Sequence, residues 1–251
     1  MASLEGITAV VLGASGERNF GHAIARRFAE EGAFVVVAAR RQEPLEALAA
    51  DIGGLAVACD VTDEAKIAAL FSAAAERTGQ VDVAVFSAGT YAGTPIAEVS
   101  ADDIRPTLEV SFVGAILFYK HAAAAMSDGG SVITISSLTA RLPGPGLAVY
   151  AGARAGIDFA SKVAAHEYAP QNVRFNNIAA GLVETDMTGM LFQMPNVVEA
   201  HINATPAGRM GTLDDIAEAA LFLADDKRSG FVNGQLLDVS GGQATGALPK
   251  F

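Results

Sequence analysis

Cysteine, tryptophan and long hydrophobic runs are scarce in this chain. Its 251 residues include no tryptophan and one cysteine, Cys59, so no internal disulfide can form. The longest apolar stretches have the length of β-strands and fall well short of the ~20 residues of a membrane helix. Residues 1–6 show no basic segment ahead of a long apolar core, so we expect no secretory signal and a cytoplasmic protein without a membrane partner.

Basic residues are also few relative to acidic ones. The chain has 17 Lys and Arg against 28 Asp and Glu, which gives a formal net charge of −11. This charge opposes binding to nucleic acid or anionic membranes and favours a small molecule, or a second copy of the chain, as the partner. We predict no bound metal, because the four histidines share no spacing typical of a metal site: His22, His121, His166 and His201.

Apolar strand-like runs alternate with helical patterns along the whole chain. Seven runs have strand length, at 7–12, 34–38, 55–59, 81–86, 131–135, 173–178 and 235–239. Amphipathic or alanine-rich stretches lie between them, near 21–31, 44–51, 63–78, 102–127, 148–168 and 213–225. Strands that are apolar on both faces and separated by helices indicate a parallel sheet covered on both sides. Because no linker interrupts the pattern, the sequence predicts a single α/β domain over 1–251, with a doubly wound, seven-stranded sheet.

A glycine-rich stretch follows the first predicted strand and leads into the first predicted helix. The residues expected to contact a ligand here are Gly13, Ser15, Asn19, Phe20 and Gly21. Exposed backbone amides and a helix N-terminus can together receive a pyrophosphate group. We therefore predict a dinucleotide site, although any tight strand-to-helix turn also favours glycine.

Two arginines, Arg40 and Arg41, directly follow the second predicted strand. An acidic residue at this place would accept hydrogen bonds from an unmodified adenosine ribose, whereas two arginines suit a 2′-phosphate. We therefore favour NADP(H) over NAD(H), with Arg18 as an additional contact; the alternative is a pair of solvated arginines. Asp60, after the third strand, is a candidate acceptor for the adenine amino group, unless it serves only turn chemistry with Thr62.

Three polar side chains form the candidate catalytic cluster. Ser137 ends an apolar run, and Tyr150 and Arg154 stand four residues apart at the start of a helical pattern. A strand end can thus present a hydroxyl to a phenol and a cation on one helix face. A free tyrosine has a pKa near ~10, and a nearby cation favours its phenolate. The alternatives are a packed aromatic at Tyr150 and a surface charge pair between Arg154 and Asp158.

Further short motifs occur in order between Val10 and Gly242. They are Cys59-Asp60-Val61, Ser87-Ala88-Gly89, Ser136-Ser137, Tyr150 with a cation four residues on, Arg174-Phe175-Asn176, Gly181 with Glu184 to Met187, and Gly234 to Gly242. This ordered set resembles the short-chain dehydrogenase/reductase family. The resemblance implies a Rossmann-type domain that binds NAD(P)(H), with Ser137 polarising a carbonyl or alcohol and Tyr150 as general acid/base. It also implies cofactor contacts from Val61, Ala88, Gly89, Tyr150, Arg154, Val183 and Thr185.

The chain departs from this family where the family holds a proton relay. Arg154 replaces the usual lysine, and Ser111 stands at the usual asparagine. An arginine keeps its charge above pH ~12 and cannot readily pass a proton on. We predict catalytic roles for Ser137, Tyr150, Arg154 and Ser111 in an NADP(H)-dependent oxidoreductase that interconverts a carbonyl and an alcohol. The alternative is a non-redox protein on the same fold, either a dinucleotide-binding regulator or a lyase or isomerase.

The glycine-rich loop is two residues longer than the usual family spacing. Its length is similar to that of enoyl-acyl-carrier reductases in the divergent branch of the family. That branch places its lysine seven residues beyond the tyrosine, where this chain has Ile157. We therefore expect no enoyl reduction.

The segment 182–206 follows the sixth predicted strand and is rich in large apolar residues. We predict a lid that closes over a hydrophobic small-molecule substrate; a helix packed on the body of the domain, or a subunit contact, is the alternative. The apolar residues of the predicted lid include Met187, Met190, Leu191, Phe192 and Met194.

Alanine- and glycine-rich faces near 102–127 and 148–168 suit packing against a second copy, and the family resemblance implies a homodimer or homotetramer.

Overall fold

Seven parallel strands form the centre of the structure, a computed structural model that describes residues 2–91 and 93–245. The sheet order is β3-β2-β1-β4-β5-β6-β7, which confirms the predicted doubly wound architecture. The order reverses between β1 and β4, and such a reversal leaves a crevice at the C-terminal ends of the strands. Residues 1, 92 and 246–251 of the predicted domain lie outside the described residues. The strands are β1 (Thr8–Leu12), β2 (Phe34–Ala39), β3 (Leu55–Ala58), β4 (Val83–Phe86), β5 (Gly130–Ser137), β6 (Val173–Ala180) and β7 (Leu236–Val239).

Helices cover both faces of this sheet. One apolar core packs α1, α2 and α9 against the sheet, and a second core packs α3, α5 and α6 against its other face. Strands β1, β4 and β6 are buried along their whole length, because both of their faces are covered. The helices are α1 (Phe20–Glu30), α2 (Gln42–Ile52), α3 (Glu64–Thr78), α4 (Ala101–Leu108), α5 (Gly114–Ala125), α6 (Ala148–Glu167), α7 (Gly189–Phe192), α8 (Pro195–Ala204), α9 (Leu213–Ala224) and α10 (Asp226–Ser229).

The ends of α3 show how local sequence sets a helix boundary. The Asp63 side chain accepts hydrogen bonds from the backbone N–H groups of Ala65 and Lys66. Gly79 ends the helix in the left-handed conformation, with φ of 94°. Side-chain capping at the start and glycine just past the end are the usual helix termini, and both were expected from the sequence.

The helix predicted near 102–127 is interrupted by one π-helical turn. This turn spans Glu109–Val113, between α4 and α5, and Ser111 lies at its centre. A π turn inserts one extra residue into a helix and is found often at functional sites. We did not predict this turn from the sequence, where the whole stretch was assigned as one helix.

The continuous helical stretch Ala101–Ala125 is long and apolar enough to match a membrane span by length and composition. From the sequence we expected no apolar stretch near the length of a membrane helix. The most apolar 18 residues of this stretch have a mean hydropathy of 1.2. Part of this window is buried: Phe118 and Ala122 lie in the core between α3, α6 and the sheet. Core helices have the same composition, so the stretch is weak evidence for a membrane span.

The aromatic cluster around Phe118 tests this packing. Phe118 is fully buried, and its ring centroid lies 5.1 Å from that of Phe71 and 5.4 Å from that of Phe86. We expect Phe118→Ala to lower the free energy of unfolding by ~3–5 kcal/mol, measured by urea denaturation, because it leaves a cavity in the core. The control Ile96→Ala changes a side chain that is 77% exposed and should stay within ~0.5 kcal/mol of wild type. Equal losses in the two variants would contradict the packing.

Candidate active site

A cleft of about 570 Å³ opens at the C-terminal ends of the strands, next to the reversal in strand order. Residues that directly follow β1 to β4 line it, together with the last part of β5 and the start of α6. A larger cavity of about 860 Å³ lies at the opposite edge of the sheet, bordered by Asp82, Gly130 and Val173 at the N-terminal ends of strands. We place the functional site in the smaller cleft, because ligands of open parallel sheets bind at the C-terminal edge.

Most of the predicted cofactor-binding residues line this cleft. Three of them lie outside the lining: Arg18, Gly21 and Val183. Gly21 is packed under the glycine-rich loop, where a Cβ atom would come within 2.6 Å of the Gly13 carbonyl oxygen. Val183 is buried and pairs with Gly211. The lining residues are Gly13, Ser15, Asn19, Phe20, Arg40, Asp60, Val61, Ala88, Gly89, Tyr150, Arg154 and Thr185.

The glycine-rich loop brings bare backbone to the wall of the cleft. Gly13 has φ of 99°, and a Cβ atom there would lie 2.7 Å from the Ser87 carbonyl carbon, so the loop approaches the end of β4 only with glycine. Asn19 caps α1 by accepting a hydrogen bond of 2.8 Å from the His22 N–H. Since Asn19 and Phe20 both border the cleft, the N-terminus of α1 does too. This positive helix end and the open glycine backbone fit a pyrophosphate group.

Arg18 contacts the start of the predicted lid segment. Its Nη1 atom lies 2.9 Å from Glu184 Oε1, and its Nε atom lies 3.9 Å from Asp186 Oδ1. The Asp186 backbone N–H also donates to the Arg18 carbonyl oxygen at 2.8 Å. In this structure Arg18 therefore ties the extended glycine-rich loop to residues 184–186. The sequence could not show this, because the two segments are far apart along the chain.

The two arginines after β2 have different environments. Arg41 donates to the Ser15 carbonyl oxygen through Nη2 at 2.8 Å and to Ser15 Oγ through Nε at 3.3 Å, so it supports the glycine-rich loop. Arg40 lines the cleft and is exposed. Across residues 2–91 and 93–245, Arg40 has no salt-bridge partner, which leaves its guanidinium available to an anionic group.

Asp60 serves the turn chemistry that the sequence offered and also lines the cleft, while its contact with adenine stays a prediction. Its Oδ1 atom accepts hydrogen bonds from the Thr62 backbone N–H at 3.1 Å and from the Thr62 hydroxyl at 2.8 Å. The backbone hydrogen bond from Thr62 holds the pKa of Asp60 below its usual value. The residue is thus both part of a turn and, as an anion, part of the cleft wall.

Ser137 stands at the end of β5 with its hydroxyl oxygen already accepting hydrogen bonds. Thr139 donates to Ser137 Oγ from its backbone N–H at 3.2 Å and from its hydroxyl at 3.0 Å. Among the described residues no acceptor takes the Ser137 proton, which leaves it available to a carbonyl oxygen, although Ser136 rather than Ser137 lines the cleft. The turn Leu138–Ala140 packs against α6, which places Ser137 beside that helix. We did not identify Thr139 from the sequence, although a hydroxyl two residues after a serine is typical of a local turn.

Arg154 is the most unusual side chain of the site, because it is a cation with only 4% of its surface exposed. Its Nη1 atom donates a 2.9 Å hydrogen bond to the Ile135 carbonyl oxygen at the end of β5. Its guanidinium carbon lies 5.3 Å from the centroid of the Tyr150 ring. Its Nη2 atom fills the space that a side chain at Gly89 would occupy. Arg154 thus joins α6 to the ends of β4 and β5.

The alternative of a surface charge pair between Arg154 and Asp158 is wrong. Both residues are buried, at 4% and 8% exposure, and no ion pair joins them in the described structure. The four-residue spacing is that of a helical charge pair, but this face of α6 is turned towards the sheet. The spacing alone could not show which face of α6 is buried.

Ser111 lies behind the cleft wall. It is fully buried in the π turn, and α6 packs against this turn. Within the described chain, its hydroxyl has no hydrogen-bond partner. The predicted relay position is therefore close to the helix that carries Tyr150 and Arg154, but its side chain does not line the cleft.

The segment 182–206 contains the short helices α7 and α8 and is largely exposed. Met187 lines the cleft and is 50% exposed, and Met190, Leu191 and Met194 are exposed as well. Every described residue of α7 and α8 is at least partly exposed, which disfavours a helix packed on the body of the domain. The lid itself stays a prediction.

Comparison with known proteins agrees with this geometry. A family model described as Enoyl-(Acyl carrier protein) reductase matches residues 13–244. The chain belongs to the short-chain dehydrogenase/reductase family. It is 36% identical to an uncharacterized oxidoreductase of Methylorubrum extorquens, over 96% of this chain and 99% of that protein. It is 33% identical to carbonyl reductase family member 4 of Xenopus tropicalis, over 90% of this chain and 94% of that protein.

A solved structure gives the same fold with a ligand present. The gluconate 5-dehydrogenase of Burkholderia cenocepacia, in complex with NADP and tartrate, matches with a TM-score of 0.91 and 30% identity, over 97% of each chain. Family membership makes this protein an oxidoreductase that binds a nicotinamide dinucleotide. The comparisons thus favour a redox role over the non-redox alternative.

The close approach of Gly89 to Arg154 is testable. A methyl group in Gly89→Ala would displace the Arg154 guanidinium, and we expect kcat/KM to fall by ~10-fold or more because the cation leaves the Tyr150 ring. Gly152→Ala is the matched control, since a Cβ atom there meets open space on the same helix as Tyr150. Steady-state kinetics and circular dichroism of both variants check this. Wild-type activity in Gly89→Ala would contradict the observed contact.

Proposed function

We propose that the protein is an NADP(H)-dependent reductase that interconverts a carbonyl and an alcohol on a hydrophobic small molecule. The observation that carries the proposal is the buried Arg154 cation, which packs beside the Tyr150 ring at the wall of the cleft. The cation beside the ring can stabilise negative charge that develops on the phenol oxygen during proton transfer, which suits Tyr150 to act as proton donor and acceptor.

The protein side chains supply orientation and proton transfer. Ser137, with its oxygen held by Thr139, donates its proton as a hydrogen bond to the carbonyl oxygen of the substrate. Tyr150 transfers a proton to the same oxygen as the alcohol forms. Arg154 stabilises the phenolate that remains. When bound, NADPH supplies the hydride for the carbonyl carbon.

Return of a proton to Tyr150 is the step in which Arg154 and Ser111 differ from the family pattern. Arg154 keeps its charge and does not exchange a proton readily, so we propose that the phenol regains its proton from solvent in the cleft. Tyr150 is only partly buried, which is consistent with this route. Ser111 lies in the π turn behind α6, where we propose that it binds ordered water near the site.

Carbonyl rather than enoyl reduction is the favoured reaction. The family model carries an enoyl reductase description, but the position seven residues beyond Tyr150 is Ile157, which is fully buried in the apolar core. A lysine there would be needed for the pattern of the divergent enoyl reductases. A relative named as a carbonyl reductase also supports this choice.

Arg40 is the basis for proposing NADP(H). Its exposed guanidinium lies at the end of β2 beside the cleft, where the adenosine ribose of a dinucleotide fits, and arginine suits a 2′-phosphate. The related gluconate 5-dehydrogenase holds NADP. We propose that Arg41 acts indirectly, by supporting the glycine-rich loop through Ser15.

A hydrophobic substrate is proposed from the exposed apolar segment that reaches the cleft at Met187. Met187, Met190, Leu191 and Met194 present flexible apolar side chains on the segment 182–206, and we propose that this segment closes over the substrate as a lid.

We also propose a cytoplasmic homodimer or homotetramer. Ile116, Phe159 and Val163 are exposed apolar side chains on α5 and α6 and could pack against a second copy. The net charge of −11 supports the view that neither nucleic acid nor an anionic membrane is a partner.

Tyr150→Phe tests the chemistry. We expect kcat to fall by ~10²–10⁴-fold with a panel of apolar ketones, because the variant has no proton to transfer. NADPH binding, followed by fluorescence titration, should stay within about 3-fold of wild type. Tyr168→Phe is the control, since Tyr168 stacks on Phe175 away from the cleft and should keep full activity. Unchanged turnover in Tyr150→Phe would refute the proposed role.

Arg40→Ala tests the cofactor preference. We expect the Kd for NADPH to rise by ~10–100-fold, because charge-assisted hydrogen bonds to the 2′-phosphate are lost, while the Kd for NADH stays the same. Arg105→Ala, at an exposed arginine of α4, is the control and should change neither value. Tighter binding of NADH than of NADPH by the wild-type protein would overturn the assignment.

A further inference from the structure

A layer of polar side chains lies buried between α6 and the sheet, directly behind Arg154. On α6, Arg154, Asp158 and Ser161 follow one another at intervals of about one turn, and all are at least nine-tenths buried. From the sheet, Ser136 on β5 and Asn177 on β6 face them. Asn177 donates a 2.7 Å hydrogen bond from Nδ2 to Asp158 Oδ1. Apolar side chains normally fill the space between a helix and a sheet, so this polar layer needs a physical explanation.

Several polar atoms of the layer lack a partner. Over the described residues, four of its buried atoms make no hydrogen bond of normal geometry: Ser136 Oγ, Arg154 Nε, Asp158 Oδ2 and Asn177 Oδ1. Ser136 nevertheless lies near enough to Asp158 to lower the pKa of that carboxyl. Each unpaired polar atom costs about 1–3 kcal/mol when buried, so four together would be a heavy penalty without ordered water. The set is complementary, because Arg154 Nε is a donor whereas Asp158 Oδ2 and Asn177 Oδ1 are acceptors. A bridging water needs two to four polar partners, and these atoms would supply them.

The charges of this layer are complementary as well. Burial raises the pKa of Asp158, whereas the neighbouring Ser136 hydroxyl, the hydrogen bond from Asn177 and the positive charges of Arg154 and Arg141 act in the opposite direction. Arg141 is itself paired with Asp238 on β7, at 2.5 Å. Arg154 has no such ion pair within the described part of the chain. Asp158 is therefore the carboxyl group placed to balance the buried guanidinium, although its burial works against the ionised form.

We propose that Asp158 is a positioning residue for Arg154, acting as the buried counter-ion that holds the guanidinium in place through bridging water. A buried cation without a nearby anion is strongly unfavourable, and the guanidinium would otherwise swing into the solvent of the cleft. By keeping Arg154 against the ends of β4 and β5, Asp158 keeps it beside the Tyr150 ring. This inference rests on the proposed function of Tyr150 and Arg154.

The test is a double-mutant cycle with Arg154→Met and Asp158→Asn. Asp158→Asn keeps the shape of the side chain but removes its charge. We expect this variant to lower kcat by about 10-fold, because a small displacement of Arg154 weakens its effect on Tyr150, with KM for the ketone changed by less than about 3-fold. Asp158→Glu should recover most of the activity. In the Arg154→Met background, Asp158→Asn should cause no further loss of kcat, because Asp158 acts through Arg154.

Two further measurements complete the test. NADPH affinity, followed by fluorescence titration, should fall when Asp158→Asn is introduced into the wild-type protein. It should not change when Asp158→Asn is introduced into the Arg154→Met variant. If Asp158→Asn does not fold, Asn177→Ser, which removes the Nδ2 donor to Asp158, replaces it and should lower kcat only when Arg154 is present. Equal losses of kcat in both backgrounds, or full activity in Asp158→Asn, would overturn the inference. Normal turnover in Tyr150→Phe would instead show that the proposed function itself has failed.

Discussion

The burial of one cation, Arg154, organises the functional edge of this protein. Its guanidinium hydrogen-bonds to the end of β5, lies against the backbone of Gly89 after β4 and packs beside the Tyr150 ring. A charge in this position has to be compensated by carbonyl oxygens, aromatic electrons or a carboxyl group, since desolvation of an isolated charge is very costly. The surrounding glycine, the strand ends and the polar layer below α6 are consistent with that need.

The parallel sheet explains why these groups meet in one place. In a doubly wound sheet, the loops that follow the strands all emerge at the same edge, and the reversal of strand order separates them into a cleft. The glycine-rich loop after β1, Arg40 after β2, Asp60 after β3 and Gly89 after β4 are brought together in this way. The adenosine and catalytic ends of the site therefore depend on strand order more than on any single contact.

Much of the fold and part of the site could be predicted from the sequence. The seven strands were recognised from apolar runs of strand length, which are continuous in the buried central strands, and the boundaries of α3 were recognised from Asp63 and Gly79. The π turn around Ser111 and the support of Ser137 by Thr139 were missed. The π turn depends on backbone geometry that local composition does not encode, whereas the Ser-x-Thr spacing at 137–139 was a local signal that we did not use.

The sequence by itself determined the order of elements, the parallel sheet, and which residue types are available at the strand ends, since periodicity and glycine placement are local properties. Only the tertiary structure decided that Arg154 is buried rather than paired with Asp158 on the surface, and that Arg18 contacts residues 184–186. The physical reason is that burial and long-range ion pairs are set by how helices pack on the sheet. A side chain carries the same charge in either environment, and the fold decides whether water or protein surrounds it.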